Sequence, residues 1–300
     1  MLSLHYIKHK DIDFKKWDNV ILGSEIPTVF AHSYFLKAMC PSFDALVIND
    51  YESIFPLTWK RKFGILYLPQ PYFTSQLGAF GVINDEREKL FHQYILKHFK
   101  LIEIELNSAN HVQSKFIRNK NTFVIEYAKG FGFNQNTRRN ISKAKEKGLK
   151  VEEVSPNEII LLSENFLNPF LLKELNLPIL EVNRFGDLLE NCISEKSLYT
   201  LKTENEKNEV KAIAHFVYNS RYALFLKGTN TNKADNSGSM HLLLEQAINF
   251  FADKVECFDF GGGSVNEGLA NFYKGLGGTQ RDFSFLRVNN LPKVLKVFKK

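Results

Sequence analysis

Apolar and polar residues recur along the first half of the chain with the periods of strands and helices. Residues 87–99 carry Leu90, Phe91 and Ile95 on one helical face, and residues 101–106 then alternate as in a strand. Asn49-Asp50 fits the two-residue turn of a hairpin. The full pattern predicts a strand at 4–7, helices at 14–22 and 33–39, strands at 45–48, 51–58, 65–68 and 76–82, a helix at 87–99 and a strand at 101–106.

The second half repeats this order of elements. It predicts a strand at 150–154, helices from Pro156 and at 179–192, strands at 197–203, 210–218 and 221–228, a helix at 240–255, a strand at 257–260, a helix at 266–275, a strand at 279–288 and a closing helix at 291–300. The repetition predicts an α/β fold, with mixed sheets of the α+β kind, in two tandem domains at 1–132 and 133–300. The joint is expected near 129–132. One large α/β domain is the alternative interpretation.

Composition and charge narrow the class of protein. Of the 300 residues, 44% are hydrophobic and 24% are charged, which are ordinary globular values. The net charge of +6 favours polyanionic partners such as RNA or nucleotides. No apolar run approaches the roughly 20 residues of a membrane span, and the N-terminus has no signal-peptide core, so we expect a cytoplasmic protein without stable membrane insertion. Three widely spaced cysteines fit neither a disulfide framework nor a zinc site, and no metal site is predicted.

A strongly basic helix is predicted within residues 134–150, between the two halves. It carries six Lys or Arg residues against one Glu, and Gly148 ends it where C-terminal glycines are favoured. Arg138 and Arg139 stand in its first turn, where cations oppose the helix dipole. Arginines and backbone N–H groups together make an anion site, so we expect Arg138, Arg139 and Lys143 to bind phosphate or another polyanion. A solvated surface helix is the alternative interpretation.

Residues 257–278 read as a buried strand, a glycine turn and a short helix. Amide formation needs a neutral amine, a stabilised carbonyl oxygen and a protonated leaving group. On the short helix, Asn271 and Lys274 occupy adjacent positions, and Lys274 can neutralise an oxyanion or the phosphates of an acyl carrier.

Asp259 lies between two phenylalanines in the strand before this turn. Its carboxylate either transfers a proton or, in the interpretation that we favour, hydrogen-bonds the turn Gly261-Gly262-Gly263. The three glycines permit unusual dihedral angles and the close approach of a ligand, so they are candidate cofactor-binding residues. His215, on the strand at 210–218, is expected to be a hydrogen-bonded sheet histidine rather than a catalytic one.

Phe258-Asp259-Phe260-Gly261-Gly262, followed by Phe272-Tyr273-Lys274-Gly275, resembles the FemAB/FemX aminoacyltransferase branch of the GNAT (acyl-CoA N-acyltransferase) superfamily. The order of elements in each half is also that of a GNAT domain, so the resemblance implies two tandem GNAT-like domains. It further implies that the aromatic pair Phe272-Tyr273 faces the acyl carrier and that Tyr273-Lys274 serves the aminoacyl end of tRNA. In CoA-dependent GNATs, a tyrosine matching Tyr273 protonates the departing thiolate. The basic helix is similar to the segment that opens the second Fem domain, which implies that Arg138 and Arg139 lie near a peptidoglycan precursor.

Two segments of the first half offer further substrate-binding candidates. Trp59-Lys60 follows a predicted strand, and Tyr72 stands in a proline-stiffened, polar and aromatic loop. We expect Trp59, Lys60 and Tyr72 to line a pocket at the domain interface. A purely structural connection is the alternative.

Residues 232–240 stand where a CoA-dependent GNAT carries its pyrophosphate loop, yet they hold one glycine and an aspartate. This favours the Fem-like branch. We therefore expect a monomeric acyl- or aminoacyltransferase that forms an amide on an anionic, peptidoglycan-precursor-like acceptor. Its donor is aminoacyl-tRNA or acyl-CoA, and no cofactor is tightly bound. The alternatives are a CoA-dependent N-acyltransferase acting on a small amine and a non-catalytic polyanion-binding protein.

Overall fold

The computed structural model describes residues 2–232, 236–263 and 266–291. Contacts divide the chain into a first unit, residues 1–120 with 282–300, and a second unit, residues 121–281. The joint expected near 129–132 therefore lies inside the second unit. Residues 292–300, which form most of the predicted closing helix, lie outside the described residues.

The first unit contains most of the elements that the pattern predicted there. They are β1 (Leu4–Ile7), α1 (Phe14–Gly23), α2 (Ser33–Met39), β2 (Asp44–Ile48), β3 (Ser53–Leu57), β4 (Lys60–Lys62), β5 (Ile65–Pro69), β6 (Phe80–Gly81), α3 (Asp85–His98), β7 (Leu101–Glu105) and the beginning of β8 (Ile117–Glu126). The predicted strand at 76–82 is reduced to β6, because Gln76 and Gly78 both have positive φ and interrupt the extended backbone.

Two groups of strands build this unit. One has the antiparallel order β1–β2–β3–β6, and the other begins β4–β5–β7, in which β5 and β7 run parallel. The apolar positions of β7, Ile102 and Ile104, share one core with Phe91 and Ile95 of α3. The alternation of β7 and the helical periodicity of α3 thus bury the same apolar cluster, and this burial is the main force that joins the two elements.

The second unit contains the remainder of the chain. Its elements are the end of β8, α4 (Gln135–Glu146), β9 (Lys150–Glu153), α5 (Pro156–Leu162), α6 (Asn168–Lys173), α7 (Ile179–Ser194), β10 (Leu198–Glu204), β11 (Val210–Tyr218), β12 (Tyr222–Asn230), α8 (Ser239–Phe251), β13 (Cys257–Gly263), α9 (Glu267–Gly275) and the start of β14 (Thr279–Asn289). A π-helical turn, Ser163–Leu167, joins α5 to α6. The last residues of β14 belong to the first unit and pair with β7.

The strands of the second unit follow the order β8–β13–β12–β11–β10–β9. Neighbouring strands are antiparallel except β12 and β13, which are parallel. An aromatic core that includes Phe216, Phe251 and Phe258 packs between this sheet and α8. His215 is fully buried, with Nε2 2.9 Å from Ser163 Oγ and Nδ1 2.9 Å from Thr200 Oγ1, which confirms its predicted structural role.

The described residues include neither a helix that could span a membrane nor a cluster of metal ligands. No helix in the ranges 2–232, 236–263 and 266–291 is both long and apolar enough to cross a membrane. In the same ranges, no group of three or more His, Cys, Asp or Glu side chains is arranged to hold a metal ion.

Candidate functional site

A cleft in the second unit lies among α4, α8 and α9, and we call it the helix cleft. It consists of two adjoining spaces of about 410 Å³ and 340 Å³. Both spaces are lined by His241 of α8 and Phe272 of α9. The other lining residues are mostly polar: Asn134, Asn136, Thr137, Asn140, Lys143, Asn230, Asn236, Gly238, Ser239, Met240, Gly268, Asn271 and Gly275.

Hydrogen bonds and a close backbone contact hold α4, α8 and α9 together around the cleft. Asn134 caps α4 by accepting a hydrogen bond from Thr137 N at 2.8 Å, and its own N–H donates to Gly275 O at 2.9 Å. Gly238, which precedes α8, has φ of +86°, and a Cβ there would lie 2.2 Å from Asn140 O. Only glycine therefore allows the start of α8 to approach α4 so closely.

His241 and Phe272 form the aromatic centre of the helix cleft. Their rings meet edge to face, with centroids 4.8 Å apart. Burial lowers the pKa of His241, so the imidazole is neutral at neutral pH and can accept a proton. Sequence analysis missed His241. The available signal was its position in the first turn of an apolar helix, directly after residues 232–240.

Of the three basic residues predicted to bind an anion, only Lys143 lines the helix cleft. Arg138 and Arg139 are exposed on α4, and Arg139 Nη2 donates to Asn136 Oδ1 at 3.0 Å. The first-turn arginines thus point to solvent, and the lysine one turn later points to the cleft.

The candidates on α9 divide between the cleft and the core. Phe272 and Asn271 line the cleft. Tyr273 is 5% exposed and stacks on Phe260 with centroids 4.6 Å apart, so its side chain is a core group and is not available to protonate a leaving group from the cleft. Lys274 is exposed and does not line the cleft, and its Nζ lies 5.7 Å from the centroid of the Phe123 ring.

Asp259 has the structural position that we favoured from the sequence, and not the catalytic one. Its carboxylate is fully buried and accepts hydrogen bonds from Thr122 Oγ1 at 2.7 Å, from Gly261 N at 2.8 Å and from the Tyr222 hydroxyl. Burial and the nearby Asp259 carboxylate raise the pKa of Tyr222, which keeps this phenol protonated and able to donate. A carboxylate enclosed in this way does not reach a substrate.

The three glycines after Asp259 were expected to form a turn, and this expectation was wrong. Gly261, Gly262 and Gly263 continue β13. Gly261 has φ of +75°, and a Cβ there would lie 2.8 Å from Phe225 O. The glycines therefore allow the shift of register of β13 against β8 and the close approach of β13 to β12.

The parallel strands β12 and β13 pair only briefly. Their register runs from Tyr222 opposite Cys257 to Leu224 opposite Asp259 and then stops. Lys227 lies on β12 beyond the last pair, with Nζ 5.7 Å from the Phe170 ring centroid. Burial lowers the pKa of Lys227, because it desolvates the charged ammonium group. No carboxylate among the described residues compensates for this desolvation. Sequence analysis missed this residue too, because an isolated lysine in a strand gives no signal of its burial.

The candidates of the first half all lie in the first unit. Trp59 is half-buried, and its Nε1 donates to Asp44 Oδ2 at 2.6 Å. Lys60 is exposed at the start of β4, and Tyr72 is exposed in the loop after β5. A substrate-binding role for Trp59, Lys60 and Tyr72 stays a prediction.

The fold was compared with known proteins. No protein-family model matches the chain, and no curated protein matches its sequence. A crystal structure of FemX superposes with a TM-score of 0.68 and 10% sequence identity, covering 96% of this chain and 99% of that chain. The chain has a FemX-like fold. This confirms the predicted mixed α/β architecture of the GNAT kind.

Two other solved structures also superpose on this chain. The C-terminal domain of a putative lysylphosphatidylglycerol synthetase from Agrobacterium fabrum has a TM-score of 0.59 at 10% identity, covering 95% of this chain and 94% of that chain. A tandem GNAT protein from the clavulanic acid biosynthesis pathway has a TM-score of 0.52 at 10% identity, covering 97% of this chain and 100% of that chain. At these identities the likeness concerns the fold.

Proposed function

We propose that the protein transfers an acyl or aminoacyl group from an activated carrier to an amine, and that the helix cleft holds the carrier. One observation supports this most strongly. In a FemX-like fold, the cleft brings a neutral imidazole, a half-buried aromatic ring and a lysine together at His241, Phe272 and Lys143.

The lining of the helix cleft suits a carrier that ends in a nucleotide. Side-chain amides such as those of Asn134, Asn140 and Asn271 both donate to and accept from ribose hydroxyls and base edges. Lys143 supplies a positive charge for a phosphate, and Phe272 supplies a surface on which a base stacks. The 3′ end of aminoacyl-tRNA has all of these groups, so we assign it as the donor.

The reaction then follows ordinary aminolysis of an ester. The neutral acceptor amine attacks the carbonyl carbon, a C–N bond forms, and the C–O bond to the tRNA 3′ oxygen breaks. His241 takes one proton from the nitrogen of the tetrahedral intermediate, and the resulting imidazolium gives that proton to the departing 3′ oxygen. Arg138 and Arg139, exposed on α4, are proposed to contact the anionic acceptor, which we take to be a peptidoglycan-precursor-like molecule.

The test is an aminoacyl-transfer assay with aminoacyl-tRNA and a UDP-linked muropeptide. We expect His241→Gln to lower turnover by about 10²-fold or more. Lys143→Ala is expected to weaken tRNA binding about tenfold. Lys147→Ala removes the same charge from the exposed end of the same helix and serves as the matched control. Unchanged turnover in His241→Gln would remove the proposed role of this residue.

A CoA-dependent N-acyltransferase is the second candidate, and one observation favours it. Asn236, Gly238 and Ser239 line the helix cleft at the start of α8, where a GNAT would bind pyrophosphate. Thermal melting separates the candidates, because a ligand that binds the native state raises the melting temperature. A shift with acetyl-CoA but not with aminoacyl-tRNA would favour the CoA enzyme. A shift with tRNA of any charging state, without transfer, would favour a polyanion-binding protein.

A further inference from the structure

A second cavity lies entirely within the first unit and has a chemistry different from that of the helix cleft. It has a volume of about 250 Å³, lies between the end of α1 and the start of α3, and is lined in part by the segment 107–111. Three carboxylates line it, those of Glu25, Asp85 and Glu88, together with His111. Neither Lys nor Arg is among the described residues that line it.

Glu88 is the most deeply placed of these carboxylates. Glu25 and Asp85 are exposed, whereas Glu88 is 7% exposed and accepts one hydrogen bond, from His111 N at 3.0 Å. Burial, the largest cause, and the neighbouring Asp85 carboxylate raise the pKa of Glu88, while the hydrogen bond from His111 N and the electrostatic interaction with His111 lower it. A buried carboxylate is usually paired with a cation, because its desolvation is costly. Here no Lys or Arg of the described residues forms an ion pair with it.

His92, one helical turn after Glu88, provides an independent indication of a missing partner. It is 8% exposed, and its buried Nε2 has no hydrogen-bond partner among the described residues. Burial lowers the pKa of His92 to about 4, so the ring is neutral and Nε2 can accept a hydrogen bond when Nδ1 carries the proton. His92 lines a small space of about 10 Å³ that shares Glu88 and Ala79 with the larger cavity. Such a space holds roughly one group of the size of a water molecule.

Ala79 borders both spaces, and side chains hold its backbone in place. Ala79 N donates to Asn110 Oδ1 at 2.8 Å, while Asn107 Nδ2 and Asn110 Nδ2 both donate to Ala79 O at 2.8 Å and 3.0 Å. Both backbone groups of Ala79 are thus satisfied by side chains. They therefore do not compete with a ligand for the Glu88 carboxylate or for His92 Nε2.

From this arrangement we propose that the cavity binds a small organic ammonium ion. The ammonium group pairs with the Glu88 carboxylate and donates to His92 Nε2, and its carbon skeleton occupies the larger space. Asp85 and Glu25 attract the cation at the mouth. A primary ammonium group has about the size of a water molecule and three donors, of which one is directed to the Glu88 carboxylate, one to His92 Nε2 and one to the larger space. A metal ion fits less well, since no described cluster has three ligands placed for one.

The proposal is tested on the full chain by isothermal titration at pH 7 with n-butylammonium and, as its neutral analogue, n-butanol. We expect saturable binding of n-butylammonium and at least tenfold weaker binding of n-butanol. Equal binding of the two probes would overturn the proposal, because it would show an apolar cavity without charge selection.

Substitutions at the cavity test whether n-butylammonium binds at Glu88. Glu88→Gln keeps an oxygen that accepts from His111 N and removes the charge, and we expect it to weaken n-butylammonium binding at least tenfold. Glu86→Gln removes the same charge from an exposed position on the same helix and should leave binding within twofold. If Glu88→Gln does not fold, Asp85→Asn at the mouth provides the second variant, with an expected loss of about threefold. Unchanged binding in both Glu88→Gln and Asp85→Asn would refute the site. The measurement uses no acyl transfer, so its outcome is independent of the proposed activity.

Discussion

His241 and Phe272 meet edge to face, with ring centroids 4.8 Å apart and planes inclined at 85°. The two residues come from different helices, α8 and α9, and both line the two spaces of the helix cleft. The edge of one ring against the face of the other is a favourable arrangement that fixes both side chains. This contact holds the proposed proton acceptor beside the proposed stacking surface.

Phe272→Ala is expected to weaken binding of the donor tRNA. Loss of a stacked base costs roughly 1–3 kcal/mol, so the Kd should rise about fivefold to about hundredfold. The change is measured by fluorescence titration with uncharged tRNA at fixed salt. Leu269→Ala, at an exposed apolar position on the same helix that does not line the cleft, is the matched control. Similar Kd values for Phe272→Ala and Leu269→Ala would count against base stacking on Phe272.

Lys274→Ala addresses the role that the family resemblance implies for this lysine. Its ammonium group is exposed and has no carboxylate partner among the described residues, so it is available to a ligand outside the helix cleft. Because Lys274 lies outside the helix cleft, we expect Lys274→Ala to leave both the turnover and the Kd for tRNA within threefold. Single-turnover kinetics separate these two quantities. A loss of turnover of about 10²-fold would instead indicate oxyanion stabilisation by Lys274 and would place the reacting carbonyl outside the cleft.

Lys227→Met is expected to stabilise the fold. A half-buried lysine without a carboxylate partner among the described residues is unfavourable, so methionine of similar length is expected to raise the free energy of unfolding by about 1 kcal/mol. Urea unfolding measures the change.

The control for Lys227→Met is Lys202→Met in the same sheet. Lys202 Nζ lies 2.6 Å from Glu204 Oε1, and this carboxylate raises the pKa of Lys202. Its removal should therefore lower the free energy of unfolding. A loss of stability in Lys227→Met equal to that in Lys202→Met would show that Lys227 has a stabilising partner.

The sequence predicted regular elements well where the apolar period was unbroken. The helix at 33–39 agrees with α2, and the strands at 210–218 and 221–228 agree with β11 and β12. The strand β8 was missed, because four polar residues near its start, Arg118 to Asn121, obscure the apolar run that follows. The glycines after Asp259 were predicted to form a turn but continue β13 with positive φ at Gly261 and Gly262 and a shift of register against β8.

The candidate site was less predictable than the fold. Phe272, Asn271 and Lys143 were named from the sequence and line the helix cleft, whereas His241 and Lys227 were not named. The environment of both missed residues depends on contacts between elements distant in the chain, as with α8 against α9. Tyr273 and Phe272 are adjacent, and a rotation of about 100° per residue along α9 decides which faces the core.

The buried His215 is expected to make the free energy of unfolding depend on pH. Burial lowers its pKa to about 3 in the folded protein, and an unfolded histidine has a pKa of about 6.5. Between these two pH values the unfolded chain binds a proton at this histidine and the folded chain does not. The contribution of His215 to the free energy of unfolding is therefore fully present above about pH 6.5 and is lost as the pH falls. Each pH unit costs about 1.4 kcal/mol, which gives a loss of about 2 kcal/mol between pH 6.5 and pH 5 from this residue.

Urea unfolding of His215→Gln at pH 6.5 and pH 5 tests this assignment. The variant should be less stable than the wild type at pH 6.5, because glutamine does not reproduce both the Ser163 and the Thr200 contacts. Its loss of stability on going to pH 5 should be smaller by about 2 kcal/mol. His98→Gln, at an exposed position, should keep the wild-type slope. Equal slopes for the wild type and His215→Gln would mean that His215 is not the group whose protonation destabilises the fold in this range.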